Sequence, residues 1–140
     1  MVEQPADMVT PQAAFRAALT HMGGRFQWGS CDCLAAARAF ADLHGVDPLA
    51  GADVAYRCAL GALRRARAAG GYAAWCRATF AGLAAVDVPG PGDLALIAEP
   101  GVFGHALGLA LGEGRVAVKG RLGVAVVQCE TVMGWTCRRS

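Results

Sequence analysis

The pattern of apolar and polar positions divides the chain into a helical first part and a strand-forming second part. Before residue 86, apolar residues recur every three or four positions, as on one face of an α-helix. After residue 93 they alternate with small or polar residues, as in half-buried strands. The Pro/Gly loop "VDVPGPGD" at 86–93 separates the two parts. Helices followed by a small antiparallel sheet predict an α+β domain.

The first predicted helix has clear signals at both ends. Thr10 and Pro11 form a cap followed by a first-turn proline, and the glycine pair at 23–24 ends the helix. Its apolar face consists of Phe15, Leu19 and Met22.

Three further helices are predicted before the loop. The second begins around Asp32–Cys33 and runs to His44, where Gly45 takes the usual C-terminal position. Asp53 can cap the third helix. The apolar positions of this third helix at helical spacing are Tyr56, Leu60 and Leu63. The segment "YAAWCRATFAGL" at 72–83 is a short fourth helix.

Short strands separated by glycine-containing turns are predicted after the loop. The candidates are "DLALIA", "HALGLALG", "RVAVKG" and "GVAVVQ", and "GWTC" can close the set. The "GEG" at 112–114 is a compact hairpin signal between the second and third of these strands.

Composition indicates a single globular domain. The chain has 140 residues, of which 55% are apolar and 17% charged, which suits a protein that buries a real core. We therefore expect one domain over 1–140, with residues 1–9 as a flexible or partner-bound tail. The net charge of +2 is too low to indicate nucleic acid as a partner.

The sequence carries no membrane or export signal. No run of about 18 uncharged apolar residues occurs, so no membrane span is predicted. The N-terminal "MVEQPADMVTPQ" lacks a basic start followed by an apolar block. We therefore expect synthesis in the bacterial cytoplasm without a signal peptide.

Six cysteines raise the question of disulfides or a metal site. Without an export signal, the expected compartment is reducing, where structural disulfides are rare. The C-x-C spacing of Cys31 and Cys33 is too tight for a zinc knuckle, and Cys129 and Cys137 do not form a second one. We expect no metal and no cofactor.

Cys33 is the best candidate for a nucleophile, because a helix N-terminus stabilises a thiolate. Cys31 lies in the preceding loop and has a weaker claim. His44 lies about 16 Å from Cys33 along the helix and cannot pair with it. His105 opens a strand and shares its face with Leu107, Leu109 and Leu111, against which a helix must pack. On the residues alone, Cys33 and His105 are either a catalytic pair or two structural residues.

The stretch "FQWGSCDCLAAARAF" at 26–40, followed by "PGDLALI", "GHALGLALGEG" and a closing "GW", resembles the NlpC/P60 superfamily of papain-like cysteine peptidases. It is most similar to the small forms carried in phage-tail and gene-transfer-agent modules. The resemblance covers residues 25–137 and implies a papain-like fold with N-terminal helices on a small antiparallel sheet.

The resemblance also implies a function. Cys33 would be the nucleophile, Asp32 the flanking helix-cap residue and His105 the base. The enzyme would cleave peptidoglycan stem peptides through a thioester, in a tail-like particle with other tail or baseplate proteins as partners. The substrate groove would include Phe26, Trp28, Gly29 and Gly104.

Two positions depart from the family pattern. Many members have Tyr where Phe26 stands, and Phe26 has no hydroxyl to assist the oxyanion. The third catalytic position should fall in "RVAVKG", where Val116, Ala117 and Val118 cannot orient an imidazole and Lys119 offers only donors. Gln128 on the next strand is the remaining candidate. The alternative is therefore a structural tail-tip, hub or tail-assembly component with a degenerate papain-like site.

Overall fold

The computed structural model describes residues 9–28, 32, 34–50, 52, 58–101 and 103–137. Within these ranges, four helices precede six strands, which confirms the predicted α+β class. The helices are α1 (Pro11–Met22), α2 (Ala35–His44), α3 (Ala59–Ala68) and α4 (Tyr72–Thr79), and the strands are β1 (Ala84–Val86), β2 (Leu94–Ala98), β3 (His105–Gly112), β4 (Arg115–Lys119), β5 (Val124–Gln128) and β6 (Met133–Thr136).

The strands form one antiparallel sheet in the order β1-β6-β2-β3-β4-β5. The hairpin predicted from "GEG" is present. Gly112 lies opposite Arg115, and the two residues between them, Glu113 and Gly114, have φ of 57° and 76°. Positive φ at both central residues is what a two-residue type I′ turn requires. Strand β1 was not predicted from the sequence.

Helices α1 and α2 pack on one face of the sheet, against β3 and β4. Leu107, Leu109 and Leu111 are buried there in the main core, which confirms the predicted inward face of β3. Val9, at the end of the predicted tail, packs against this core as well. The opposite face holds a smaller cluster formed by Ala95, Ile97, Ala110, Val116 and Val118.

The ends of α1 agree with the prediction, but its buried face does not. The Thr10 hydroxyl accepts a hydrogen bond from the Ala13 amide at 3.1 Å, and Pro11 begins the helix. Phe15 and Leu19 remain 38% and 45% exposed. The buried residues are Ala14, Ala17, Ala18 and Met22. Small methyl groups let α1 approach α2 and the sheet closely, so the predicted apolar face was wrong at two of its three positions.

Helix α3 repeats this arrangement. Ala62 and Ala66 are buried, whereas Leu60 is 55% exposed. The predicted cap Asp53 and the predicted Tyr56 lie outside the described residues. Among the helices that the structure describes, none is long and apolar enough to cross a membrane.

Candidate active site

The start of α2 is organised around the carboxylate of Asp32, which is fully buried. Its Oδ1 accepts a hydrogen bond from the Leu34 amide at 3.0 Å, and its backbone oxygen accepts one from Ala35 at 3.0 Å. The guanidinium of Arg38, one turn into the helix, lies 3.5 Å from the same Oδ1. A buried carboxylate needs such partners, so Asp32 fixes the backbone at the point where α2 begins.

Cys33, Cys31 and Gly29 lie outside the described residues. Cys33 is bonded in the chain to Asp32 and Leu34, and both of these are described and buried. Asp32 and Leu34 therefore give the position at which the chain enters α2.

His105 begins β3 and pairs with Ala98 of β2. It is half-buried and shares the helix-covered face of the strand with Leu107. The preceding Gly104 has φ of 73°, and a Cβ built on it would meet no atom within 4 Å. The start of β3 therefore has open space beside Gly104.

Helix α2 packs on β3, and the contacts at its far end indicate that its start lies toward His105. At its far end, His44 Nε2 donates to the Gly92 carbonyl oxygen at 2.9 Å, and the Gly92 amide donates to the Ala110 oxygen at 2.9 Å. From there back to Leu34 the helix rises about 15 Å, and β3 covers about 17 Å from Ala110 back to His105.

A shared pocket supports the same juxtaposition. Leu34, next in the chain after Cys33, and Phe103, two residues before His105, line one pocket. Leu34 and Phe103, which precede α2 and β3 in the chain, are therefore close together at this end of the sheet.

Aromatic rings line the same end of the molecule. The ring centroids of Phe26 and Trp28 are 4.8 Å apart in an edge-on arrangement, and those of Trp28 and Phe103 are 6.3 Å apart. Phe26 and Trp28 were predicted groove residues, and the structure brings Trp28 to the turn that precedes His105. Phe103 was missed, although an aromatic residue inside the glycine-rich "GVFGH" was a usable signal.

The loop that carries these aromatics is tied to the β4–β5 turn. Lys119 Nζ donates to the carbonyl oxygens of Gly24, Gly120 and Gly123. The Phe26 amide donates to the Arg121 oxygen at 2.8 Å. Lys119 thus holds the loop in place, a role that the sequence did not indicate.

The structure does not bring Gln128 to His105. Gln128 pairs with Arg115, which pairs with Gly112 at the opposite end of β3, about 24 Å along the strand from His105. Its Nε2 donates to the Glu113 oxygen at 2.6 Å. In the described part of the chain, no side chain hydrogen-bonds the ring of His105.

The described residues contain no cluster of three or more His, Cys, Asp or Glu side chains that could hold a metal ion. The same part of the chain contains four cysteines, Cys58, Cys76, Cys129 and Cys137, and no disulfide joins them.

Residues 9–136 match the family described as Domain of unknown function (DUF6950). The chain belongs to the DUF6950 family. The match includes every helix and strand from α1 to β6, so the DUF6950 unit is this whole α+β domain. No curated protein and no solved structure matches the chain.

Proposed function

We propose that this DUF6950 domain is a papain-like cysteine peptidase of the NlpC/P60 kind, with Cys33 as nucleophile and His105 as base. The observation that carries the proposal is the meeting of the α2 start with the β3 start, where Leu34 and Phe103 line one pocket. A thiol within reach of an imidazole is the pairing that such chemistry needs.

The electrostatics of the helix start support a thiolate at Cys33. The dipole of α2 favours negative charge there. A free carboxylate at Asp32 would oppose it, but Oδ1 of Asp32 is engaged by the Leu34 amide and lies 3.5 Å from the Arg38 guanidinium. Arg38 therefore offsets the negative charge beside the nucleophile.

The proposed reaction is acyl transfer from an amide to water. The Cys33 thiolate attacks the amide carbonyl and forms a C–S bond, and the protonated His105 gives its proton to the departing nitrogen as the C–N bond breaks. His105 then takes a proton from water, whose oxygen attacks the thioester. This step breaks the C–S bond, releases the carboxylic acid and restores the thiolate–imidazolium pair. The backbone N–H of the nucleophile is the proposed oxyanion donor.

The proposed substrate is the stem peptide of peptidoglycan, and the proposed setting is a phage-tail-like particle. Both rest on the resemblance of "FQWGSCDC" and "GHALGLALGEG" to tail-associated NlpC/P60 domains. Other tail or baseplate proteins are the proposed partners.

Thiol labelling combined with wall digestion tests the proposal. We expect iodoacetamide to alkylate Cys33 faster than Cys31 or the exposed Cys58, and the folded protein to release peptides from purified peptidoglycan. Cys33→Ala and His105→Ala should abolish release, whereas Cys31→Ala should retain it. Equal, slow labelling of all three thiols with no release by the wild type would reject the enzyme.

A structural role in the particle is the second candidate. It is supported by apolar side chains left on the surface, since Phe15 of α1 and Val126 of β5 line one open pocket and are 38% and 47% exposed. Leu122 in the neighbouring turn is 77% exposed. This candidate would be favoured if the wild type released no peptides from peptidoglycan but formed stable assemblies that Val126→Glu disrupts.

A further inference from the structure

We propose that the pocket between α3, α4 and the start of α2 is a subsite for one small apolar side chain of the peptide substrate, of about the size of alanine. We call it the α3–α4 pocket. The proposal builds on the cysteine peptidase proposed above, because the peptide in question is the one that Cys33 would attack.

The walls of the α3–α4 pocket are aromatic and its floor is made of methyl groups. The rings of Tyr72 and Trp75 lie nearly parallel, with 8° between their planes and 6.2 Å between centroids. Phe103 meets Tyr72 edge-on at 5.6 Å. Ala62 and Ala66 of α3 provide the floor, and each is less than 10% exposed. The lining therefore selects an apolar group.

The pocket is lined by residues that lie close in the chain to the proposed reacting pair. Leu34, which follows Cys33 in the chain, forms one of its sides, and Phe103 precedes His105 by two residues. A peptide held with its carbonyl at the helix start would have a neighbouring side chain within reach of this opening.

A surface groove adjoins the pocket and gives the rest of a peptide a place to lie. Arg65 and Trp75 line both the pocket and the groove. Beyond them the groove runs past Ala68 of α3 and past Ala78 and Thr79 of α4. The pocket therefore lies next to an open groove.

Size sets the selectivity. The pocket has an accessible volume of about 20 Å³, far below the range typical of sites that take whole small molecules. A volume of this size holds one group about as large as a water molecule or a methyl group, whereas a phenyl group is far too large for it. Steric exclusion of this kind is worth about 10-fold or more in rate.

Peptide chloromethyl ketones on the full-length chain test the subsite. In these probes the thiolate displaces chloride, and the adduct is mapped by mass spectrometry. In one series, alanine or phenylalanine stands at the residue next to the reactive carbon. In a second series, alanine or phenylalanine stands at the following residue. All other residues of the probes are glycine. Each rate at Cys33 is divided by the rate with iodoacetamide, which has no side chain.

We expect the wild type to prefer the alanine probe by about 10-fold or more in one series. Ala66→Leu should lose this preference through slower reaction with the alanine probe, at an unchanged iodoacetamide rate. Ala59→Leu, on an exposed position of the same helix, is the matched control and should behave as wild type. Phe103→Ala, which widens the pocket, should speed the phenylalanine probe about 10-fold.

The outcomes separate the two proposals. The subsite alone is rejected if Cys33 reacts rapidly with iodoacetamide but the probe selectivity is the same in wild type, Ala66→Leu and Phe103→Ala. A Cys33 that is no more reactive than Cys58 overturns the peptidase, and the subsite with it. Thermal unfolding of each variant identifies one that has lost its fold. If Ala66→Leu does not fold, the subsite is tested by the expected faster reaction of Phe103→Ala with the phenylalanine probe.

Discussion

His44 Nε2 donates a hydrogen bond to the carbonyl oxygen of Gly92 at 2.9 Å, and this contact fixes the end of α2 over the loop that enters β2. The ring of His44 also packs on Phe40, with centroids 4.4 Å apart. Because Gly92 is itself bonded to Ala110 of β3, the contact determines where along β3 the helix ends. It thereby determines which strand residue faces the helix start.

His44→Ala should destabilise the fold by about 1–3 kcal/mol, because it leaves the Gly92 carbonyl without its partner and removes the ring packed on Phe40. Urea unfolding monitored by circular dichroism measures the change. His21→Ala is the matched control. It removes an exposed pair with Asp42 at 3.0 Å and should cost no more than about 1 kcal/mol. Equal losses in the two variants would show that the His44 contact does not hold α2.

Asp32→Ala should destabilise the start of α2 by about 1–3 kcal/mol, since the buried Leu34 amide loses its acceptor and Arg38 loses its carboxylate. Asp32→Asn keeps an oxygen for the amide and should lose less. Hydrogen exchange of the first turn of α2 distinguishes a local effect from global unfolding. If Asp32→Asn were as damaging as Asp32→Ala, the charge pairing with Arg38 would be the dominant interaction instead.

The elements of the candidate site that depend on local sequence were predictable. Thr10 and Gly45 signalled helix ends through their own backbone preferences, and the alternation after His105 set the inward face of β3. These signals act within a few residues of the chain. They need no knowledge of what packs against the element.

The parts that depend on distant packing were not predictable. Hydrophobicity favoured Phe15 and Leu19 as the buried face of α1, but close approach of α1 to α2 selected Ala14 and Ala18, which are fully buried. Lys119 reaches the Gly24 carbonyl, which is remote in sequence. Gln128 was a candidate by strand order, and only the register of β5 on β4 shows that it lies at the wrong end.

Gly108→Ala should cost about 2 kcal/mol or more, because the sheet leaves no room for a methyl group at this position. A Cβ built there would lie 2.7 Å from the Ala117 carbonyl oxygen and would overlap the Val116 side chain. Gly82→Ala is the control, since a Cβ at Gly82 meets nothing within 4 Å. Thermal unfolding of both variants makes the comparison. A tolerated Gly108→Ala would mean that β3 and β4 separate more easily than their packing indicates.

Gln128→Ala should leave the reactivity of Cys33 unchanged, because Gln128 lies at the far end of the sheet from His105 and its side chain binds the Glu113 oxygen of the β3–β4 turn. Losing that exposed bond should cost about 1 kcal/mol at most. The measurement is the pH dependence of iodoacetamide alkylation at Cys33, which a residue that orients His105 would shift.

His105→Ala is the positive control for this measurement and should lower the alkylation rate near neutral pH, because the thiolate loses its imidazolium partner. Gln128 would be shown to act on the imidazole if the pH profile of alkylation in Gln128→Ala shifted as it does in His105→Ala, at an unchanged unfolding temperature. The register of β5 on β4 gives the opposite expectation. Gln128 pairs with Arg115, and Arg115 pairs with Gly112. This pairing holds Gln128 about 24 Å along β3 from the His105 ring that it would have to orient.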